Sequence, residues 1–317
     1  MDPAYDDRTV LQVASTLRAG DWRPAAALLH DSARDPDRKA HRVDRLGFDK
    51  RCHSAIEAWV SAQPGNPDAH LVRARALVVQ AWAARGNSYA KQVSKKAWPV
   101  FFDRLRAADA AVSGAVGLAP DDPTPWAMAV MIARALELPR AEFQHRWDGL
   151  LARDPQHVSG HYHALQYLCA KWSGSHEEMF DFADRVSASA PLASPLHMLP
   201  VFAVTEYALA IVSRRVPEGP RIGRYKKSKQ VKDAVARAVE CWETPAAERR
   251  TPPHARAVFD RTHLAFWAYM SRSPAVAARQ YRLMGPYSSE LPWSYFVPAY
   301  RVRIPIHRLA YKVLHHG

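Results

Sequence analysis

The chain has 317 residues, and its 48% hydrophobic and 24% charged residues are the composition of a folded protein rather than of a disordered one. Glycine is scarce and proline is common, at 13 and 24 residues, which favours helices separated by proline-bearing turns. The sequence contains no glycine-rich phosphate loop, HExxH zinc motif or GxSxG nucleophile motif. No familiar nucleotide-binding enzyme or hydrolase is therefore expected, and no cofactor is assigned.

Several features indicate a cytoplasmic protein. Residues 1–10 contain three aspartates and no apolar core, which is not typical of a signal peptide. The most apolar stretch, residues 199–212, is shorter than the roughly 18 residues that a membrane-spanning helix needs. Three widely spaced cysteines without a CxxC pair suit buried thiols in a reducing compartment: Cys52, Cys169 and Cys241. We therefore expect no membrane span.

Charge is unevenly distributed along the chain. Residues 1–213 carry 24 Lys and Arg against 24 Asp and Glu, whereas residues 214–317 carry 20 against 7. The whole net charge of +13 therefore lies in the last third. Such asymmetry is typical of proteins with an anionic partner, although a solvated basic face is the commoner explanation.

Apolar residues recur at spacings of three and four, a period that predicts helices rather than strands. In chain order, the clearest helical stripes lie at 126–136, 143–151, 162–172, 179–186, 254–269 and 274–283. Ser175 and Glu178 predict a capping box, and Ser273 before Pro274 predicts another helix start. Asp21 is expected to cap a helix after Gly20. Short turns between these stripes predict antiparallel neighbours.

Prolines recur at nearly regular spacing in the middle of the chain. Pro120, Pro155 and Pro191 are separated by 35 and 36 residues, close to a 34-residue helix–turn–helix repeat. Together with Trp126 and Phe143 at their places in the repeat, this pattern resembles the tetratricopeptide family over residues 118–195. Residues 8–35 and 253–286 resemble further helix pairs. Residues 162–183 are also similar to a bacterial family of tetratricopeptide-like proteins of unknown function, which implies a helical fold and no particular reaction.

The resemblance implies an all-α fold: a short right-handed α-solenoid of tetratricopeptide-like helix pairs with an irregular basic C-terminal helical segment. We expect the repeats to occupy residues 1–212, with an insertion near 85–99. Residues 213–232 are rich in proline, glycine and basic residues, which predicts a basic linker. Residues 233–317 are expected to form the basic C-terminal helical segment, packed on the solenoid.

The insertion is the preferred candidate for a functional surface. Pro64 and Pro120 are 56 residues apart, which exceeds one repeat by about 20 residues, and insertions in solenoids often emerge on the binding face. The predicted partner-binding residues are Arg85, Tyr89, Lys91, Lys95, Lys96, Lys171 and Trp172. A solvated loop is the simpler alternative. The tryptophans of this part of the chain are expected to be mostly core residues: Trp82, Trp98, Trp126, Trp147 and Trp172.

The basic segment before residue 232 is the second candidate. Its predicted anion-binding residues are Arg214, Arg215, Arg221, Arg224, Lys226, Lys227 and Lys229. Cations can pair with phosphates while the aromatic residues of 293–312 stack on bases, so nucleic acid is a reasonable partner. An anionic membrane surface is another alternative, and a solvated basic surface is the default.

The third candidate is a group of histidines. His161, His163 and His176, with Glu177 and Glu178, are residue types that bind metals. However, His161 and His163 are two positions apart, which places them on different faces of a helix. We therefore assign no metal site, and these three histidines are the weaker candidates for one.

Three functions remain open on sequence alone. The favoured one is non-catalytic protein or peptide binding on the concave face of stacked helix pairs. The first alternative is a nucleic-acid-associated regulator that uses the basic C-terminal third. The second is an enzyme or metal-binding protein with an unfamiliar His/Glu site.

Overall fold

The computed structural model describes residues 6–86, 94–216, 219–249 and 253–297, and every regular element in those ranges is helical. The predicted all-α class is confirmed. The chain forms two compact units. The N-terminal unit comprises Asp7–Tyr167 and Lys171–Ser173, and the C-terminal unit is built mainly from Leu168–Ala170 and the described residues from 174 to 297.

The helices of the N-terminal unit are α1 (Arg8–Arg18), α2 (Arg23–His30), α3 (Pro36–Leu46), α4 (His53–Ala62), α5 (Pro67–Arg85), α6 (Ala97–Leu118), α7 (Pro123–Ala135), α8 (Arg140–Leu151) and α9 (Val158–Tyr167). A 3₁₀ turn, Lys50–Cys52, precedes α4. Three of these helices begin with the same signal. Asp35, Asn66 and Asp122 cap α3, α5 and α7 by accepting a backbone N–H, and a proline follows each cap. The proline loses no helical hydrogen bond there, so the boundary is well defined.

The predicted insertion lies in the hairpin of α5 and α6. These helices have 19 and 22 residues, whereas α7 and α8 have 13 and 12. Much of the extra sequence therefore lengthens two helices that pack on each other, and the predicted loop contributes less than expected. Residues 87–93 of the insertion lie outside the described residues.

Helix α3 is surrounded by other helices. It packs against α1, α2, α5, α7 and α9. In a simple stack of repeats each pair touches only its neighbours, so these contacts reach further along the chain than that pattern requires. As a result, α3 is well covered although its sequence is strongly polar, with Lys39, His41 and Arg45 all buried.

The helices of the C-terminal unit are α10 (His176–Ser189), α11 (Leu199–Val212), α12 (Ile222–Tyr225), α13 (Lys229–Arg237), α14 (Thr244–Glu248), α15 (Ala257–Met270), α16 (Pro274–Met284) and α17 (Trp293–Phe296). A π-helical turn, Ala238–Glu243, joins α13 to α14. The expected helices at 254–269 and 274–283 correspond to α15 and α16. The expected linker, 213–232, lies within this unit and contains α12 and the start of α13.

Helix α11 supplies an apolar part of the C-terminal unit. Among the described residues, Pro195–Val212 is the stretch long and apolar enough to cross a membrane, and 67% of it is buried inside the structure. The indole of Trp267 on α15 donates to Thr205 Oγ1 at 2.8 Å, and both residues are buried. This stretch is therefore buried to the extent that is typical of a core helix.

Other local expectations have mixed outcomes. Ser175 Oγ accepts from the backbone of Glu178 at 3.0 Å, as the capping box predicts. The thiols of Cys52 and Cys169 are buried as expected, but Cys241 is only half-buried. The tryptophans expected to be mostly core residues differ in burial. Trp147 is buried, whereas the following tryptophans are half-buried and pack against rings of other elements: Trp82, Trp98, Trp126 and Trp172.

Candidate functional site

The C-terminal end of α5 carries an arginine between two indole rings. Trp82 and Arg85 share a helix face because they are three positions apart. The Arg85 guanidinium carbon lies 5.3 Å from the ring centre of Trp82 and 5.4 Å from that of Trp98, in the first turn of α6. Both distances are within the roughly 6 Å range of cation–π attraction. Arg85 is thus held by rings from two helices.

Trp172 extends this group. Its ring meets Trp82 edge to face with centroids 6.2 Å apart, and the Arg134 guanidinium at the end of α7 lies 5.4 Å from its centre. We call Trp82, Arg85, Trp98, Arg134 and Trp172 the Trp/Arg cluster. All five side chains are half-buried, so the cluster combines anchored packing with access to solvent.

Further aromatic rings support the cluster from α6. Phe101 is buried and meets both Trp82 and Trp98 edge to face, with centroids 5.0 Å and 5.8 Å apart. Phe102 stacks on Trp98 at 5.8 Å with an interplanar angle of 22°. Aromatic contacts of this geometry are worth about 0.5–1.5 kcal/mol beyond buried area. They fix the position of the Trp98 ring beside Arg85.

The predicted partner-binding residues fall into three groups. Arg85 and Trp172 both contact the ring of Trp82. Lys95, Lys96 and Lys171 are exposed in the same unit, whereas Tyr89 and Lys91 lie outside the described residues. The prediction missed Trp82, Trp98 and Arg134 as members of the site. The spacing of Trp82 and Arg85 is the available signal, although a tryptophan at helical spacing is more often a core residue.

The indole N–H of Trp172 is a hydrogen-bond donor of the cluster that lacks an acceptor. Its Nε1 is buried and has no hydrogen-bond acceptor among the described residues. A buried donor without an acceptor costs about 1–3 kcal/mol. A bound group that supplied an acceptor would recover part of that free energy.

The opposite end of α5 carries a different arrangement of charge. Lys39 Nζ on α3 lies 2.6 Å from Asp68 Oδ1 on α5 and 2.7 Å from Asp122 Oδ2, the cap of α7. Lys39 and Asp68 are only 5% and 8% exposed. Asp122 also accepts a hydrogen bond from the backbone N–H of Thr124 at 2.8 Å, so its carboxylate both caps α7 and pairs with Lys39. We call Lys39, Asp68 and Asp122 the buried ion triad.

The ionisation of the triad follows from its burial and its charges. Burial by itself lowers the pKa of Lys39, but the two adjacent carboxylates outweigh burial and raise that pKa above its ordinary value. Burial raises the pKa of Asp68, and the charge of Asp122 acts in the same direction against the effect of Lys39. Two carboxylates share one ammonium, so the ammonium is held strongly and one carboxylate is harder to ionise.

A groove adjoins the triad. It has a volume of about 540 Å³ and lies between α2, α3 and the turn that precedes α5. Lys39 and Asp68 form part of its wall, and Asp122 does not. We call it the α2–α3 groove.

The three candidate histidines lie in different surroundings. His161 is buried on α9, and its Nδ1 hydrogen-bonds the carbonyl oxygen of His157 at 2.9 Å; burial lowers the pKa of His161. His163 is half-buried on the same helix, and His176 begins α10 in the C-terminal unit. Burial also lowers the pKa of His176. Within the described residues, no group of three or more His, Cys, Asp or Glu side chains could hold a metal ion.

The buried His157 helps to explain the start of α9. The carboxylate of Asp37, on α3, accepts from the backbone N–H of Val158 at 3.2 Å and of Ser159 at 3.1 Å. Asp37 Oδ1 also lies 3.4 Å from Nδ1 of His157. The same Nδ1 accepts a hydrogen bond from the backbone N–H of Gly160 at 3.1 Å. This cap from a distant helix satisfies the free N–H groups of α9.

The predicted basic residues lie in the C-terminal unit, on a segment that is anchored by packing. Tyr225 is 2% exposed and meets Tyr207 with centroids 5.1 Å apart, which anchors α12 on α11. Lys229 is exposed and pairs with Asp233 at 2.6 Å, and Lys226 is half-buried. The remaining predicted cations are exposed and form no ion pair within the described residues: Arg214, Arg215, Arg221, Arg224 and Lys227. We call these five residues the basic surface.

Comparison with known proteins gave no match, whether with protein-family models, curated proteins or solved structures. The likeness to tetratricopeptide repeats therefore remains an expectation from sequence.

Proposed function

We propose that the chain is a non-catalytic protein- or peptide-binding module whose Trp/Arg cluster binds an acidic segment of a partner protein. The observation that carries this proposal is the cluster itself. Three half-buried tryptophans hold two guanidinium groups within 5.3–5.4 Å of their ring centres. Tryptophan and arginine dominate the energetics of protein interfaces.

The chemistry of the cluster favours a carboxylate-bearing partner. A guanidinium group presents several N–H donors in one plane and can bind a carboxylate with two parallel hydrogen bonds. Ring contacts hold such a group in place before a partner arrives, which reduces the ordering cost of binding. Lys95, Lys96 and Lys171 are exposed in the same unit and add positive charge that favours encounter with an acidic segment.

The scaffold of this proposal is a right-handed stack of tetratricopeptide-like helix pairs. The α5–α6 hairpin is its longest pair and extends beyond the neighbouring pair. Arg85 and Trp98 meet in this extended part. In this arrangement the insertion builds the binding surface at the end of the hairpin.

The test is affinity capture of the full chain from the lysate of its source cells. Captures are run at low and high salt, with and without nuclease, and bound proteins are identified by mass spectrometry. The proposal predicts a partner that survives nuclease and is lost in the Lys95→Glu, Lys96→Glu double variant, because both side chains are exposed and their reversal leaves the fold intact.

The matched control reverses charge elsewhere. Arg221→Glu with Arg224→Glu changes two exposed cations of the C-terminal unit and is expected to leave capture of that partner unchanged. A partner lost equally from both double variants would point to non-specific charge attraction and would overturn the proposal.

A second candidate function is nucleic-acid binding by the basic surface. The observation that favours it is five exposed cations without ion pairs in the described residues, on a segment anchored by buried Tyr225. Affinity for a single-stranded oligonucleotide should then fall with salt, with a log–log slope that declines by roughly 0.7 for each phosphate-contacting cation removed. Equal affinity at low and high salt would exclude this function.

A further inference from the structure

A small pocket in the C-terminal unit lies between three helices. Helix α11 packs against both α10 and α13, and it supplies the base of the pocket with the buried residues Pro200 and Val204. Phe180 lines the pocket from α10, and Ala234 lines it from α13. The volume is about 150 Å³. We call this space, with its apolar base on α11, the α10–α13 pocket.

Opposite charges line the pocket from its two outer helices. Asp184 lies on α10, four positions after Phe180, and Arg237 lies on α13, three positions after Ala234, so each shares a helix face with an apolar lining residue. Both charged side chains are exposed, and neither forms an ion pair or hydrogen bond within the described residues. Burial raises the pKa of Asp184, and the charge of Arg237 acts against that effect. The two charges therefore interact across the pocket without contact.

The remaining polar residues of the wall leave these two charges without partners. Asp233 already pairs with Lys229 at 2.6 Å, and Gln230 is uncharged. One guanidinium and one carboxylate thus lie on opposite sides of a pocket with an apolar base. A molecule that carries both an ammonium and a carboxylate can pair with the two groups at once, whereas an ion of a single sign can pair with only one of them.

We propose that the α10–α13 pocket binds a small zwitterion, a free α-amino acid with an apolar side chain. Its ammonium donates to Asp184, its carboxylate accepts from the planar donors of Arg237, and its side chain packs on the apolar base. The volume of about 150 Å³ is below the roughly 300–1,000 Å³ of pockets for drug-sized ligands, which restricts the ligand to a small molecule. All lining residues belong to the C-terminal unit, so this site is separate from the Trp/Arg cluster and from its proposed function.

The chain offers a variant for each part of the site. Arg237→Gln removes the cation and Asp184→Asn removes the anion, and the fold should tolerate both because the two side chains are exposed. Arg185→Gln is the matched control, since Arg185 is an exposed arginine of α10 that does not line the pocket. Gln230→Trp places an indole in the pocket wall, at an exposed position, without changing a charge.

The experiment is calorimetric titration of the full chain with L-leucine, with leucinamide, which lacks the carboxylate, and with 4-methylpentanoate, which lacks the ammonium. Saturable binding of leucine is expected, and each analogue should bind roughly tenfold more weakly or worse, which is the loss expected for one charge-assisted hydrogen bond. Arg237→Gln should abolish the preference for leucine over leucinamide, and Asp184→Asn should abolish the preference over 4-methylpentanoate. Gln230→Trp should weaken leucine binding by roughly tenfold or more, and Arg185→Gln should stay within about threefold of the wild type.

Several results would overturn the proposal. These are no saturable binding of leucine, equal affinity for leucine and either single-charge analogue, or leucine affinity that is unchanged in Arg237→Gln or in Gln230→Trp. Circular dichroism of each variant establishes that it is folded, and the comparison of the three ligands on the wild-type chain decides the matter if a variant unfolds. Capture of a partner by the Trp/Arg cluster is measured separately, so failure here leaves that function standing.

Discussion

The two ends of α5 place positive charge in different environments, carboxylates at one end and aromatic rings at the other. At the N-terminal end, Lys39 is almost completely buried and lies between the carboxylates of Asp68 and Asp122. At the C-terminal end, Arg85 remains half-buried and lies against the rings of Trp82 and Trp98. One helix therefore joins a closed ion triad to an open cation–aromatic surface.

This difference indicates that the N-terminal end of α5 is suited to stabilising the fold and the C-terminal end to binding a partner. A buried ammonium between carboxylates is fully desolvated, so removing it leaves buried negative charge behind. A guanidinium flanked by rings keeps its edge near water and can exchange solvent for a partner's carboxylate. We therefore expect variants at the N-terminal end to affect mainly stability and variants at the C-terminal end to affect mainly binding.

The largest expected effect is that of Lys39→Met. It leaves the buried carboxylate of Asp68 and the half-buried carboxylate of Asp122 without their ammonium, and the free energy of unfolding should fall by about 3–5 kcal/mol. Urea denaturation followed by circular dichroism measures this change. Adding Asp68→Asn and Asp122→Asn to the same chain should recover a large part of the loss, because no buried charge then remains. A loss below about 1 kcal/mol would show that the triad is not effectively buried.

The pH dependence of stability should also differ between the two ends. Because the pKa of Lys39 is raised above its ordinary value of 10.5 in the fold, its ion pairs contribute fully below pH 10.5. That contribution is lost as pH rises through the higher folded pKa. The stability difference between wild type and Lys39→Met should therefore shrink above pH 10.5, as measured by urea denaturation up to pH 12.

Arg85 provides the control for that titration. The Arg85→Ala variant keeps Lys39 and its two carboxylates, so the difference between wild type and Arg85→Ala should not change as Lys39 loses its proton. A parallel decline for both variants would mean that general alkaline unfolding, and not Lys39, causes the effect.

The smallest expected effect on stability is that of Arg85→Ala itself. Two cation–π contacts at a half-buried site are worth about 1–2 kcal/mol together, so the protein should remain folded with a modest decrease in unfolding free energy. Thermal denaturation measures that decrease, and capture of the partner should be lost in the same variant. Strong destabilisation with capture retained would place Arg85 in the core and not in the binding surface.

The sequence predicts the local elements of this fold well. Helical period locates α15 and α16 within a few residues, and the Ser175 cap begins α10 as expected. These features depend on residues that are close together in the chain. The all-α class follows from them without knowledge of any long-range contact.

The sites depend on contacts that no local pattern records. Helix α3 has a polar sequence, yet Lys39 is buried because helices from distant parts of the chain surround it. Trp82 and Trp172 are far apart in sequence and meet only in the folded unit. The sequence therefore indicates Arg85 and Trp172 as candidates, whereas their shared contact with Trp82 appears only in the fold.

Site-specific photo-crosslinking addresses the role of the Trp/Arg cluster most directly. A photoreactive residue is placed at Lys96, which is exposed two positions before Trp98, and control chains carry it at Arg34 and at Arg224, both exposed. We expect one partner protein to crosslink from position 96 and not from the controls, through a peptide rich in Asp and Glu. Crosslinks from position 224 alone, or from position 96 to peptides without acidic residues, would contradict the binding function proposed for this cluster.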